Sequence, residues 1–123
     1  MSKLHVRFEM PKELVEKVFE ALETAKSSGK VVKGTNEVTK VAERQQAVLV
    51  VMAEDVEPVE VVMHLPVLCD EKEVAYAYVP LKDELGKSVG LPVSTSAAAI
   101  VKPGKAKALV EDIAKKTKEL KKG

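Results

Sequence analysis

Ala47-Val48-Leu49-Val50-Val51-Met52-Ala53 is an unbroken apolar run of strand length, and it limits the fold more than any other stretch. A strand with one face in water alternates polar and apolar residues, so a run without alternation must be covered on both faces. The coverings are legible on either side. Pro11 suits the first position of a helix, and Leu14, Val15, Val18, Phe19, Leu22 and Ala25 recur at the 3.6 period to about Ser27, where Gly29 stops the pattern. Residues 1 to 10 form a leader. Thr35 reads as the N-cap of a second helix through about Gln45, with Val38, Val41 and Ala42 inward. Pro58 opens a third, burying Val59, Val62 and Met63, with a kink or fresh turn at Pro66. A short helix from Leu81 to Val89 turns Leu81, Leu85 and Val89 inward and closes at Gly90. A last helix runs from Lys105 to about Leu120, with Ala106, Leu109, Val110, Ile113 and Leu120 apolar.

Between the helices lie further short strands: Val31 to Lys33, Val74 to Val79, and Ala97 to Val101, whose small residues allow close packing. Helices alternating with apolar strands predict an α/β chain, a single-domain three-layer α/β/α sandwich around a central mixed four-stranded sheet. The 123 residues match one domain.

Trp is absent, and Phe8, Phe19, Tyr76 and Tyr78 are the only aromatics, too few for a base-stacking sheet. The net charge of +1 excludes coating of nucleic acid by bulk electrostatics, yet it is unevenly spread. Counting Lys and Arg against Asp and Glu gives +3 for residues 26 to 44, −6 for 54 to 73 and +5 for 102 to 123. Cys69 is the lone cysteine, which excludes an internal disulfide or a cysteine-based zinc site and predicts a buried small hydrophobe. With neither a membrane-spanning run nor the apolar core of a signal peptide, a cytoplasmic protein is expected.

No catalytic set assembles. His5 in the leader and His64 on the third helix stand beside no nucleophile pattern, and both read as structural or exposed. The acids of 54 to 73 lack calcium-loop spacing, and Gly34 alone makes no phosphate loop. The expectation is a protein that is not an enzyme, with no metal and no cofactor. The acidic block reads as a solvated face, or as the surface of a protein-interaction adaptor.

Lys33-Gly34-Thr35-Asn36-Glu37-Val38-Thr39-Lys40 carries more polarity than capping requires. Lys40 lies one turn on from both Asn36 and Glu37. An amide donates and accepts, a carboxylate accepts, and a lysine donates with charge, so the set can read a purine edge and hold a phosphate. The helix N-terminus adds free N–H groups for a polyanion. The alternative is an ordinary helix start with an intrahelical Glu37–Lys40 pair. Leu91-Pro92-Val93 is an apolar trio in a loop, stiffened by its proline. It either tucks into the core or forms a ledge for an unstacked base.

These residues carry a family resemblance. Gly34 to Lys40 with Glu43-Arg44, His64-Leu65-Pro66 with Leu68-Cys69 and Glu71, Tyr76 to Pro80, and Leu85-Gly86 through Val93 resemble archaeal large-subunit ribosomal proteins of the L7Ae type, in the kink-turn-binding superfamily. The resemblance covers nearly the whole chain. It implies an α/β/α sandwich that binds sharply bent RNA with tandem sheared G·A pairs beside a three-nucleotide bulge. By position, Asn36, Glu37 and Lys40 would read the guanines, and Leu91, Pro92 and Val93 would lie under the bulge. Gly34 and Thr35 would offer N–H groups to phosphate, while Lys33 and Arg44 would add charge. Pro92 stands where archaeal members commonly carry an acid. The resemblance further implies ribosomal RNA, box C/D and H/ACA guide RNAs and RNase P RNA as targets. It also implies a Nop-domain scaffold protein and fibrillarin as partners in the box C/D particle, and a monomer when free.

Overall fold

The computed structural model describes residues 3–122, built as a four-stranded sheet between two layers of helix. In chain order the elements are α1 (Lys12–Ser28), β1 (Lys30–Lys33), α2 (Thr35–Glu43), β2 (Leu49–Ala53), a 3₁₀ turn (Val59–Val61), α3 (His64–Glu71), β3 (Tyr76–Val79), α4 (Lys82–Ser88), β4 (Ala97–Lys102), a second 3₁₀ turn (Gly104–Ala106) and α5 (Lys107–Lys122). Strand order is β1-β4-β2-β3. β4 is antiparallel to both β1 and β2, and β2 is parallel to β3. The C-terminal ends of β1, β2 and β3 therefore share one end of the sheet with the start of β4.

Every residue of β2 is buried, as its unbroken apolar run requires. Its neighbour β4 presents Ala97, Ala98 and Ala99, all fully buried, and these small side chains let α2 pack close on the strand. α2 and α3 pack together as one layer, and α1 with α4 and α5 forms the other. Ala21 and Thr117, not marked as inward by the apolar pattern, are buried in α1 and α5. Thr117 is accommodated because its hydroxyl donates to the Ala114 carbonyl.

Several boundaries differ from the sequence expectations, each at an element's end. Pro58 opens a 3₁₀ turn and not an α-helix. Pro66 sits in the first turn of α3, where its missing N–H would be unpaired anyway, and kinks nothing. Met63 and Leu81, expected to be buried, are exposed. Each precedes its helix as the capping residue, so the helical period that turns later residues inward does not yet apply. α2 ends at Glu43 because Gln45 takes a left-handed φ of 56°. β2 starts at Leu49, leaving Val48 half in solvent.

The leader packs against the sheet. His5 and Phe8 are buried, with Phe8 5.1 Å from the ring of Tyr78 and 5.7 Å from that of Tyr76. The Tyr78 hydroxyl donates to the His5 carbonyl and accepts the Arg7 N–H, while His5 Nε2 donates to the Ala53 carbonyl 2.8 Å away. Burial pushes the Tyr78 phenol above the ordinary tyrosine range, so it remains a donor into alkaline pH.

Tyr78→Phe should cost ~1–2 kcal/mol in denaturant unfolding and speed amide exchange at Arg7 more than within β2, because it strands the two polar groups the hydroxyl satisfied. Burial, with Asp70 adding to it, pushes the Cys69 thiol up to about 12. A raised thiol pKa means almost no thiolate at pH 8, so a thiol-specific reagent should label Cys69 in denaturant and leave the native protein unlabelled over hours.

Candidate nucleic-acid interface

β1 ends at Lys33, and Gly34 turns the chain into α2 with φ 88° and ψ 147°, a region that side chains rarely adopt. Nothing lies within 4 Å of where a Cβ would sit on Gly34. Backbone torsion, and not crowding, demands glycine here, and the space beside it is open to a ligand. The Gly34 N–H donates to the Ala97 carbonyl, and its own carbonyl accepts the Val38 N–H that starts the helix.

Gly34 is thus the N-cap, correcting the assignment of that role to Thr35. Thr35 is already inside the helix, and its hydroxyl is spent 2.6 Å from Ser96 Oγ in the loop before β4. A glycine cap has no side chain to offer, so the first-turn N–H groups of α2 receive no side-chain cap. They remain available to an anion.

Asn36, Glu37 and Lys40 are all exposed around this end. Lys40 Nζ lies 3.3 Å from Glu37 Oε1, so the intrahelical pair does form. Both partners are more than half in solvent, where such a pair is worth at most a few tenths of a kcal/mol to ~1 kcal/mol. A ligand displaces it at little cost. Thr39 donates to the Thr35 carbonyl, so its oxygen accepts from His64 Nε2 at 2.8 Å. His64 is exposed yet pins α3 to α2. Arg44 lies just beyond α2, on the stripe of Asn36 and Lys40, about 12 Å along the axis from Asn36 and about 6 Å from Lys40.

The loop of the apolar trio is tied to the same sheet end. The Leu91 N–H donates to the Gly86 carbonyl, and the Thr95 N–H to the Lys82 carbonyl. A Cβ on Gly86 would stand 2.1 Å from the Val93 carbonyl oxygen, so the loop rests directly on α4. Ser96 accepts the Ala53 N–H at the end of β2. The two readings of the trio divide. Leu91 packs against the core, Pro92 is exposed, and Val93 stands 65% exposed. Lys26, which the sequence marked only as part of a basic segment, runs within 3.3 Å of the space a Gly90 side chain would take. It sets an exposed ammonium beside the loop.

The acidic block does not present one free surface. Asp55 Oδ1 accepts the Lys82 N–H at the start of α4, Glu54 pairs with Lys3, and Asp70 accepts from Tyr76 and Lys121. Among the described residues no three His, Cys, Asp or Glu side chains gather as a metal-holding set.

Gly34→Ala should lower unfolding stability by ~1–3 kcal/mol although its methyl meets empty space, the cost being backbone strain. Gly86→Ala should instead move the loop: amide shifts in an NMR spectrum should change across Leu91 to Thr95 while those of Thr39 and Val41 hold.

Residues 16–110 match the model of the Ribosomal protein L7Ae/L30e/S12e/Gadd45 family. A solved structure described as a 15.5kD RNA binding protein of Giardia lamblia superposes with a TM-score of 0.89 at 30% identity, covering 98% of this chain and 99% of that one. The chain belongs to the Ribosomal protein L7Ae/L30e/S12e/Gadd45 family, whose α/β sandwich it reproduces from α1 to α5.

Proposed function

We propose that this protein is a non-catalytic RNA-binding module that recognises and stabilises kink-turn RNA. The observation that carries the reading is the junction at one sheet end. An uncapped helix start bearing exposed Asn36, Glu37 and Lys40 is hydrogen-bonded, through Thr35 and Ser96, to a stiff loop exposing Pro92 and Val93. The two halves suit a bent RNA and not a regular duplex.

Each part has a chemical role. Glu37 accepts from the N1–H and amino group of a guanine that pairs through its other edge, while Asn36 and Lys40 donate to its O6 and N7. The open space at Gly34 and the first-turn N–H groups take a phosphate, with Lys33 and Arg44 adding charge. Pro92 and Val93 give an unstacked base an apolar surface without an aromatic ring.

The naming of the Giardia relative as RNA-binding supports the class of ligand. The chain then serves as an archaeal large-ribosomal-subunit protein and as a scaffold for box C/D and H/ACA guide RNAs and RNase P RNA. It is a cytoplasmic monomer when free. A Nop-domain protein and fibrillarin join it in the box C/D particle and bring the chemistry.

Asn36→Ala and Glu37→Ala should each weaken kink-turn binding by ~1–3 kcal/mol, roughly 5- to 150-fold in a gel-shift titration at fixed salt. Unchanged affinity in both variants would remove the base-reading role from this site.

A further inference from the structure

The face of the molecule along β1 holds lysines whose placement the fold does not favour. β1 is an end strand, paired on one side only, by β4. In that ladder Lys30 partners Lys102 at its irregular end, where the register shifts between Lys30 and Val31; both are exposed, and like charges paired across strands disfavour the ladder. Lys105, in the second 3₁₀ turn, and Lys107, at the start of α5, follow, and the first turn of α5 carries no acid. Cations at the positive end of a helix dipole are again unfavourable. Among the described residues none of these four lysines forms an ion pair.

Tight backbone packing fixes the cluster. A Cβ on Gly29 would fall 2.0 Å from the Lys102 carbonyl oxygen, and the Lys105 N–H donates to Ser28 Oγ at 2.9 Å. The end of α1, the start of β1, the end of β4 and the start of α5 are thereby locked together, and their lysines cannot spread by moving apart as segments. Lys33, at the other end of β1, already belongs to the RNA site. Lys33 and Lys30 lie three positions apart on this strand, about 10 Å at the usual rise, so their side chains leave opposite faces and can meet one ligand only along the strand's open edge.

We propose that Lys30, Lys102, Lys105 and Lys107 form a phosphate-binding track that holds one of the RNA stems leaving the kink, running from Lys33 along the β1 edge. The proposal rests on the kink-turn reading and adds a second region of RNA binding to it, non-specific in sequence. A polyanion relieves both unfavourable placements at once, the facing lysines and the cations at the helix start. The track therefore costs the free protein stability and returns it on binding.

The test uses the full chain and the triple variant Lys30→Gln/Lys102→Gln/Lys105→Gln, which leaves every base-reading residue in place. Each protein is titrated with a kink-turn RNA trimmed to short stems, and with versions extended by about ten base pairs on either stem in turn. Wild type should bind one extended RNA several-fold more tightly than the short one, and the variant should bind all alike. On that extended RNA the slope of log affinity against log salt should fall in magnitude by about 2 in the variant, at about 0.7–0.9 for each phosphate no longer neutralised. A wild type that binds the short RNA but gains nothing from either extension overturns the track while leaving the base-reading site standing. An equal gain in wild type and variant also overturns it. Failure of wild type to bind even the short RNA overturns the kink-turn reading beneath it.

Discussion

Gly34 donates its N–H to the Ala97 carbonyl, and that bond exists only because β4 lies between β1 and β2 and runs against both. The antiparallel insertion brings the start of β4 beside the end of β1, more than sixty residues away in sequence. From this follow the hydroxyl contact of Thr35 with Ser96, the seating of the loop on Gly86, and the shared end at which α2, α4 and the loop meet. Had β4 been parallel to β1, the apolar trio and the polar helix start would lie at opposite ends of the sheet.

Rigidity is concentrated where the ligand would bind. His64 ties α3 to the first turns of α2 through Thr39, Asp55 holds the start of α4, and Ser96 joins the loop to both β2 and α2. The groups that would touch RNA are themselves left loose: Asn36 is exposed, and Glu37 and Lys40 share a weak solvent-facing pair. A fixed backbone under uncommitted side chains reduces the ordering cost of binding without burying polar groups beforehand. Charge follows the same division. Acids in the block from Glu54 to Glu73 are partly consumed inside the fold, whereas among the described residues the lysines along β1 and at the start of α5 form no ion pair.

Much of the fold was legible in the chain. The run from Ala47 to Ala53 required cover on both faces, and the stripe from Leu14 to Ala25 supplied part of it, because burial periodicity is a local property of a strand or helix. Most of the misses fell at ends. Met63 and Leu81 look inward by pattern but precede their helices, and Thr35 looks like a cap but lies one residue inside. End positions depend on where the first hydrogen bond closes, which the surrounding packing decides.

For the site, the residue types at Asn36, Glu37 and Lys40 announced a polar set beyond what capping needs, since surplus donors and acceptors at a helix start are visible in one dimension. The glycine at 34 announced a turn for the same reason. Whether Leu91, Pro92 and Val93 face the core or the solvent was not decidable from their apolarity; in the fold the Val93 backbone sits on Gly86, Leu91 packs against the core and Val93 is left out. Nor could the chain reveal that Lys30 faces Lys102, because register between distant strands is set by the whole sheet. The sequence by itself determined most of the helical and strand segments and supplied the polar set proposed to read RNA. Only the tertiary structure decided which of them meet, because strand order and the direction of β4 arise from packing both helical layers onto one sheet.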